Sequence, residues 1–180
     1  MAEPFDIRIS FVIRHSDFVI LMMIRCGIGY DVHRLAQDRQ LILGGVNIPH
    51  AQGLAGHSDA DVLSHAIADA LLGAMCAGDI GQHFPNTDES IRGISSIRIL
   101  QRVAELLSEK KARVINIDAT IIAEAPKIAP HISAMREKIA TAIGVADSTI
   151  SIKATTNERL GPIGRGEGIA TIAIANVEVE

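Results

Sequence analysis

Aromatic side chains are scarce: four Phe, one Tyr and no Trp make up 3% of the 180 residues. Stacking of unpaired bases needs several such rings, so the composition argues against a nucleic-acid platform. An excess of positive charge is missing as well. Seventeen Lys and Arg face 21 Asp and Glu, leaving a formal charge of −4, which gives no bulk attraction to phosphate backbones or anionic membranes. The expected partner is a small molecule, with no nucleic acid and no membrane. Cysteine is limited to Cys26 and Cys76 without a C-x-x-C pair, which argues against a disulfide framework and a thiolate zinc site. A reducing, cytoplasmic setting is expected. The longest apolar run near the N-terminus, Phe18 to Ile24, falls far short of the roughly 20 residues that span a bilayer.

With 48% hydrophobic residues, the chain can fill one domain core with Ile, Leu, Val and Ala. Residues 1–22 carry Glu3, Asp6 and Asp17 among scattered Arg, a pattern unlike a signal or transit peptide. They are read as an N-terminal extension to a domain at 23–180, with Met22 or Met23 the expected true start. From Ile24 onward strand and helix signals alternate. "IRCGIGYDVHRL" reads as a strand running into a loop, and "LILGGVNI" as a tight hairpin around Gly44 and Gly45. Helices are expected near 58–76, 95–110 and 130–143, and strands near 113–124, 148–156 and 168–179. The fold class is α+β: a single domain with a mixed β-sheet and helices packed on one face.

The helix signal "GHSDADVLSHAIADALLG" is made of Ala, Leu, Ile and Val, yet it carries two His and three Asp and no Lys, Arg, Glu or Gln. Ser58 with Asp61 reads as a capping box, and Asp59 and Asp61 suit the positive end of the helix dipole. Asp61, His65 and Asp69 then recur every fourth residue and form one stripe. Short acids and imidazole are the groups that bind metals and move protons. The alternative is a core histidine held by Asp69. In "YDVHRL", Asp31 and His33 alternate with Val32, so an extended backbone points both to one side. Joined by His65 they make a carboxylate and two imidazoles, a set suited to Zn²⁺ or another divalent ion with one position left open.

Three further segments are rich in Gly and small polar residues. "AGDIGQHFPNTD" (77–88) is a loop with Asp79 and Asp88 as potential hydroxyl or metal partners, or a plain helix exit. "IIAEAPKIAPHI" (121–132) sets two prolines around Lys127, leaving free backbone groups for a flat heterocycle, or makes a surface turn. "KATTNERLGPIGRGEGIA" (153–170) combines Thr155 and Thr156 with four glycines, Arg159 and Arg165, the donors a phosphate chain requires. It has neither P-loop nor Rossmann order, and a glycine-rich hairpin is its bland reading.

These motifs, "GYDVHRL", "GHSDADVLSHAIADALLGA", "GDIGQHFPNTD", "TIIAEAPKIAPHI" and "KATTNERLGPIGRGEGIA" in this order, resemble the 2-C-methyl-D-erythritol 2,4-cyclodiphosphate synthases of the non-mevalonate isoprenoid pathway. The resemblance runs from about Met23 to the C-terminus. It implies conversion of 4-diphosphocytidyl-2-C-methyl-D-erythritol 2-phosphate into the cyclic diphosphate with release of CMP. By the family pattern Asp31, His33 and His65 bind Zn²⁺, and Val32 lies with them against substrate. His57 and Ser58 meet the 2-phosphate, with His57 and Thr156 as the catalytic groups. Asp79, Ile80, Gly81, Phe84, Pro85, Asn86, Thr87 and Asp88 hold the methylerythritol part. Ala123, Glu124, Ala125, Pro126, Lys127, Ile128 and Ala129 form the cytosine pocket. Thr155, Thr156, Asn157 and Glu158 bind the diphosphate with a second ion, Mg²⁺ or Mn²⁺, and Pro162 and Arg165 complete the set. The resemblance also implies a homotrimer with sites between subunits and an isoprenoid diphosphate in its channel. Asn86 departs from the family's usual F-P-D-T-D, and Pro162 from its usual aromatic residue. A metal-dependent phosphohydrolase and a non-catalytic binding protein are the competing readings.

Overall fold

The structure, a computed structural model, describes residues 23–85 and 93–179. Asn86, Thr87 and Asp88 of the expected substrate loop, and the whole of the expected extension 1–22, lie outside the described residues. Among the described residues seven strands and five α-helices follow one another: β1 Met23–Ala36, β2 Leu41–Leu43, β3 Val46–Ile48, β4 Gly53–Leu54, α1 Val62–Ala74, α2 Ile80–His83, α3 Ser96–Glu109, β5 Ala112–Ile122, α4 Ile132–Ile143, β6 Ile150–Thr155, α5 Gly161–Gly164 and β7 Gly168–Val179. They form a single α+β domain. The main sheet has the order β4-β1-β7-β5-β6, with β5 and β6 parallel and the other pairs antiparallel. The expected hairpin is present as β2–β3, where Gly44 and Gly45 take φ of +55° and +71°, the pair of positive values that a two-residue turn between twisted strands requires. Among the described residues no helix is long and apolar enough to cross a membrane.

The alternative reading of residues 153–170 as a glycine-rich hairpin does not hold. Strand β7 lies between β1 and β5, so the chain leaving β6 at the sheet edge must return past β5. It does so through a turn and α5, and such a crossing is too wide for a tight loop. The register of β5 against β7 shifts between Val114 and Asn116. A residue is thereby taken up as a bulge, so that Val114 and Ile117, three apart, both face the core.

Helix α1 is the structural centre. Every residue from Val62 to Ala74 except Asp69 and Gly73 is buried, under strands on one side and α3 on the other. This answers why the helix has no Lys or Glu: its own chain covers it all round. Its N-cap is Asp61, whose side chain accepts from Ser64 N, and the expected cap Ser58 lies one turn earlier, outside the helix. Helix and sheet approach so closely because β1 offers Gly27 and Gly29 to the backbone of α1. A Cβ on Gly29 would sit 1.9 Å from the Ala66 carbonyl oxygen, and one on Gly27 2.0 Å from that of Ala70.

The two faces of the sheet are unequal. Inward residues such as Ile169, Ala173, Ala175 and Val177 are buried beneath the helices. The alternate residues of the same strands, Ile24, Ile28, Tyr30, Val32, Ile172 and Ile174, are exposed, Ile28 by 68% and Ile24 by 67%. The register sets Ile28 beside Ile174 and Tyr30 beside Ile172, so these exposed apolar side chains are neighbours on one face of the sheet.

Candidate metal centre

Asp31 and His33 stand within β1 rather than in a loop beyond it, and both point toward α1, where His65 occupies the second turn. Asp31 Oδ2 lies 3.0 Å from His33 Nε2 and 2.9 Å from His65 Nδ1, and the two ring nitrogens are 3.4 Å apart. Ligands about 2.0–2.1 Å from a tetrahedral zinc stand about 3.3 Å from each other, so the triangle has the size of three corners of such a site. Its orientation is fixed at each corner. The other oxygen of Asp31 accepts from Val32 N at 2.8 Å. His33 Nδ1 lies 2.8 Å from the Ala55 carbonyl oxygen, and because a carbonyl only accepts, Nδ1 carries the hydrogen and Nε2 presents its lone pair to the triangle. His65 Nε2 lies 2.8 Å from Ser96 Oγ and 3.2 Å from Ser58 Oγ.

The electrostatics favour a cation at this place. Burial alone would raise the Asp31 carboxyl, but the hydrogen bonds and charges of His33 and His65 outweigh it and hold the group well below the usual carboxylate range. The bond to Asp31 raises His33 above its ordinary value against the opposing effect of burial. A divalent ion held there would compete with the proton that His33 takes up. Among the described residues this is the one group of three or more His, Cys, Asp or Glu side chains able to hold a metal ion.

The remaining acids of the helix have other employment. Asp61, fully buried, accepts from Gly44 N at 2.9 Å, Gly45 N at 2.7 Å and Ser64 Oγ at 2.8 Å, and so clamps the β2–β3 hairpin to the start of α1. Desolvation raises its pKa, the four donors working against that. Asp69 does not orient His65: its carboxylate accepts from Ile80 N at 2.8 Å and anchors α2, which begins beside Asp79. Asp59 serves two helices: it accepts from the backbone N of Asp61, the N-cap of α1, at 3.3 Å, and it also reaches α3. It accepts from Ser96 N at 3.0 Å and from the Ser96 hydroxyl, capping α3 from a distance. Ser96 carried no sequence signal; only an N-terminal helical Ser facing an acid 37 residues earlier could have exposed it.

The expected site residues fall into two groups. Asp31, His33, His57, Ser58 and His65 gather at the start of α1, the side chain of Val32 lies on the opposite, exposed face of the sheet, and Asp69 ties the start of α2 to the same helix through Ile80 N. Ala123–Ala129 and Thr155–Glu158 gather at the ends of β5 and β6, where Ala123 N donates to the Thr155 carbonyl at 2.9 Å. Glu124 is not a bystander there: its Oε1 accepts from Asn157 N at 2.9 Å and Arg159 N at 3.1 Å. It braces a turn in which Glu158 and Arg159 take φ of +49° and +62°, values that cost a side-chain-bearing residue about 1–2 kcal/mol. The Thr156 hydroxyl donates to Glu158 Oε1 at 2.8 Å, and Arg165 Nε donates to Glu167 at 2.6 Å. Asp31, Thr171, Ile121 and Ala154 share one row across the sheet. The two groups therefore sit at one end of it, about 10–14 Å apart at about 4.8 Å per strand. Among the described residues no hydrogen bond joins them.

The YgbB family model matches residues 24–178. A 2-C-methyl-D-erythritol 2,4-cyclodiphosphate synthase from Alkaliphilus metalliredigens is 60% identical over 153 residues, covering 85% of this chain and 96% of its own. One from Thiobacillus denitrificans is 60% identical over 154 residues, covering 86% and 96%. Among solved structures, the bifunctional IspDF of Campylobacter jejuni superposes with a TM-score of 0.85 at 39% identity, over 88% of this chain and 43% of that one. IspF of Plasmodium falciparum in complex with CDP gives a TM-score of 0.76 at 33% identity, over 87% and 97%.

Proposed function

The chain belongs to the YgbB family, and on that premise we propose how its site works. It is an enzyme of isoprenoid precursor biosynthesis, a lyase that forms 2-C-methyl-D-erythritol 2,4-cyclodiphosphate. Its substrate is a small nucleotide, in keeping with the CDP held by the Plasmodium relative; in our reading it is 4-diphosphocytidyl-2-C-methyl-D-erythritol 2-phosphate. The domain is residues 23–180, with 1–22 an extension, and it works in the cytoplasm, where the two free thiols of Cys26 and Cys76 are at home.

The observation that carries the mechanism is the Asp31, His33, His65 triangle. One carboxylate oxygen and two imidazole nitrogens, all close together, suit Zn²⁺ in ligand type and spacing. When bound there, zinc supplies Lewis-acid polarisation of a phosphate oxygen. The chain's own residues do the positioning. His57 and Ser58, just before α1, hold the 2-phosphate, and Asp79, Ile80 and Gly81 with the Phe84–Asp88 loop hold the methylerythritol hydroxyls. Ala123–Ala129 receive the cytosine through backbone groups, Thr155–Glu158 grip the diphosphate, and Pro162 and Arg165 close this end. Glu158 is placed to hold a second ion, Mg²⁺ or Mn²⁺, with the diphosphate. An oxygen of the 2-phosphate attacks the β-phosphorus, and the bond from that phosphorus to the oxygen bridging to the α-phosphorus breaks. That oxygen leaves with CMP, and no water is consumed. His57 steadies the attacking phosphate and Thr156 donates to the charge that develops. A nucleophilic side chain is unnecessary because the reaction is intramolecular.

A homotrimer is part of the same reading. Its support is the apolar face of β1 and β7, exposed in the single chain, and the separation of the two groups of site residues, which a neighbouring copy would bring together. The enclosed face would form an apolar channel able to take an isoprenoid diphosphate. Phosphorus NMR of the reaction tests the chemistry: cyclic diphosphate with CMP is the expected product, and a linear product would instead establish a phosphohydrolase.

A further inference from the structure

The sequence offers no partner for the far nitrogen of His65, yet the structure surrounds it with hydroxyls. Ser96 is the first residue of α3 and is completely buried. Its hydroxyl stands between two groups, the Asp59 carboxylate and His65 Nε2 at 2.8 Å. An ionised carboxylate has no hydrogen to give, so Ser96 must donate to Asp59. What remains on Ser96 Oγ toward His65 is a lone pair. Nε2 must then be the donor, and a neutral imidazole protonated at Nε2 presents its lone pair at Nδ1, the atom 2.9 Å from Asp31. The two hydrogen bonds thus run in one direction, from the ring through Ser96 to the acid.

Ser58 is a weaker rival for the same nitrogen. Its oxygen lies farther away, at 3.2 Å, and already accepts from Ala60 N at 3.0 Å. It is also the hydroxyl that the substrate phosphate would recruit, and a contact that substrate removes cannot hold the ring throughout a turnover. Ser96 has no such second employer. Its backbone N donates to Asp59 Oδ2 at 3.0 Å, so the acid grips the serine at two points and fixes the hydroxyl against rotation. The backbone strap of Asp59 N to Ile94 O, 3.2 Å, and Gly93 N to His57 O, 2.9 Å, keeps the two segments in register.

We infer that Ser96, held by Asp59, is a positioning residue for the metal centre: it selects the His65 tautomer whose Nδ1 joins Asp31 and His33 as a ligand. The inference rests on the metal reading of the triangle. It goes beyond that reading in naming what makes the third ligand competent, and it gives α3 a part in the site although no α3 side chain reaches the triangle itself.

The test uses the full chain in its native assembly, labelled with ¹⁵N-histidine and titrated with Zn²⁺ against a chromophoric chelator. In the unsubstituted protein His65 should bind through Nδ1 and show an Nε2–H resonance protected from solvent exchange. Ser96→Ala should keep its circular dichroism spectrum, lose that protection and weaken zinc binding about 10–100-fold, the usual range for removing a group that orients a ligand. Ser96→Thr should restore both, and Asp59→Asn should weaken binding less than Ser96→Ala. Ser58→Ala should leave zinc affinity within about twofold, because its bond to the ring is the longer one. Unchanged affinity and protection in a folded Ser96→Ala, or coordination through Nε2 in the unsubstituted chain, overturns the inference while leaving the metal reading intact. No zinc bound by the unsubstituted chain overturns both.

Discussion

The two ends of the candidate site are made in opposite ways. At the start of α1 the groups are half-buried or buried and each has its orientation set by the same chain: Asp31 by Val32 N, His33 by the Ala55 carbonyl, His65 by Ser96. At the ends of β5 and β6 Ala123 and Ile128 are buried, but the residues expected to grip the diphosphate are mostly exposed. Thr155, Thr156, Glu158, Pro162 and Arg165 all face solvent in the single chain, and the turn that carries them contains two non-glycine residues at positive φ. The first end is organised before any ligand arrives, as a metal site must be, because misplaced ligands lose the ion. The second is braced only locally, which suits the proposed completion of this end by a neighbouring copy and a diphosphate.

That contrast is broken most directly by separating the two ends onto different chains. His65→Ala should lose its zinc and slow turnover on the order of 10³-fold or more, since metal polarisation is worth several kcal/mol, while the assembly persists. Thr156→Ala should keep its zinc and lose about 10²–10³-fold, the usual result of removing one donor to developing charge. If neighbouring copies complete each other, mixing and reassembling the two inactive variants should restore measurable activity, because some sites then receive an intact half from each. Mixed assemblies as inactive as their parents would place both halves of each site in one chain. Stoichiometric zinc in His65→Ala would remove His65 from the ligand set.

Stability should divide along the same line. Gly29→Ala places a methyl group 1.9 Å from the Ala66 carbonyl oxygen, so α1 must lift from β1. We expect a loss of about 3 kcal/mol or more in urea unfolding, at the upper end for overpacking, with zinc affinity falling in parallel as His65 moves away from Asp31. Gly166→Ala, in the exposed half, meets no atom within 4 Å and carries only the penalty of φ +74°, about 1–2 kcal/mol. Equal losses would mean that the intimate contact of α1 with β1 is not what holds the metal half.

Acidity should affect the metal half alone. His33 must be neutral to bind an ion, and its pKa is raised by the hydrogen bond to Asp31, while Asp31 is held low and stays ionised throughout the neutral range. In the metal-free fold the proton on His33 is stabilising below about pH 6.5, the unfolded value, and this contribution disappears as pH rises through the raised folded value. Zinc competes with that proton. Its apparent affinity should therefore fall as pH drops below the raised value, by about tenfold per unit for each proton displaced. Chelator competition between pH 8 and pH 5 measures the slope; a flat profile would detach His33 from the metal.

Much of this architecture was legible in the chain because its signals are local. Gly44-Gly45 between short apolar runs specified the hairpin, and the spacing of Ile97, Leu100, Val103, Ala104 and Leu107 on α3 predicts a buried stripe, of which Leu100, Val103 and Leu107 are buried and Ile97 and Ala104 half-buried. Asp31 and His33 could be assigned to one side of an extended backbone by alternation alone. What escaped depends on tertiary placement. Asp59 and Asp61 look alike as acids before a helix, yet one caps α3 and the other clamps the hairpin, because the chain folds different donors against each. Asp69 stands one turn from His65, the spacing of an orienting acid, but Ile80 N occupies its oxygen. Ser96 is 31 residues from the imidazole it meets, and nothing in its neighbourhood distinguishes it from an ordinary serine near a helix start. The exposed apolar face had an equally ordinary sequence, since alternation in a strand covered on both sides and in one covered on one side differ only in the residues of the second face.

The smallest expected effect sharpens the comparison from the other end. Glu124 touches no reacting group; its carboxylate receives two backbone hydrogens from the turn at Asn157 and Arg159. Removing it in Glu124→Ala leaves those donors to water, which at an exposed turn should cost no more than about 1 kcal/mol of stability. The positive-φ residues it braces lose their support, so the diphosphate must order the turn itself. KM should rise roughly tenfold, for about 1.4 kcal/mol of ordering, with kcat changed little and zinc affinity unchanged. Glu124→Gln, which keeps an acceptor oxygen without the charge, should recover most of the loss. A fall in kcat with KM unchanged would instead mean that the turn acts only in the transition state, and that the exposed half is as firmly organised in advance as the buried one.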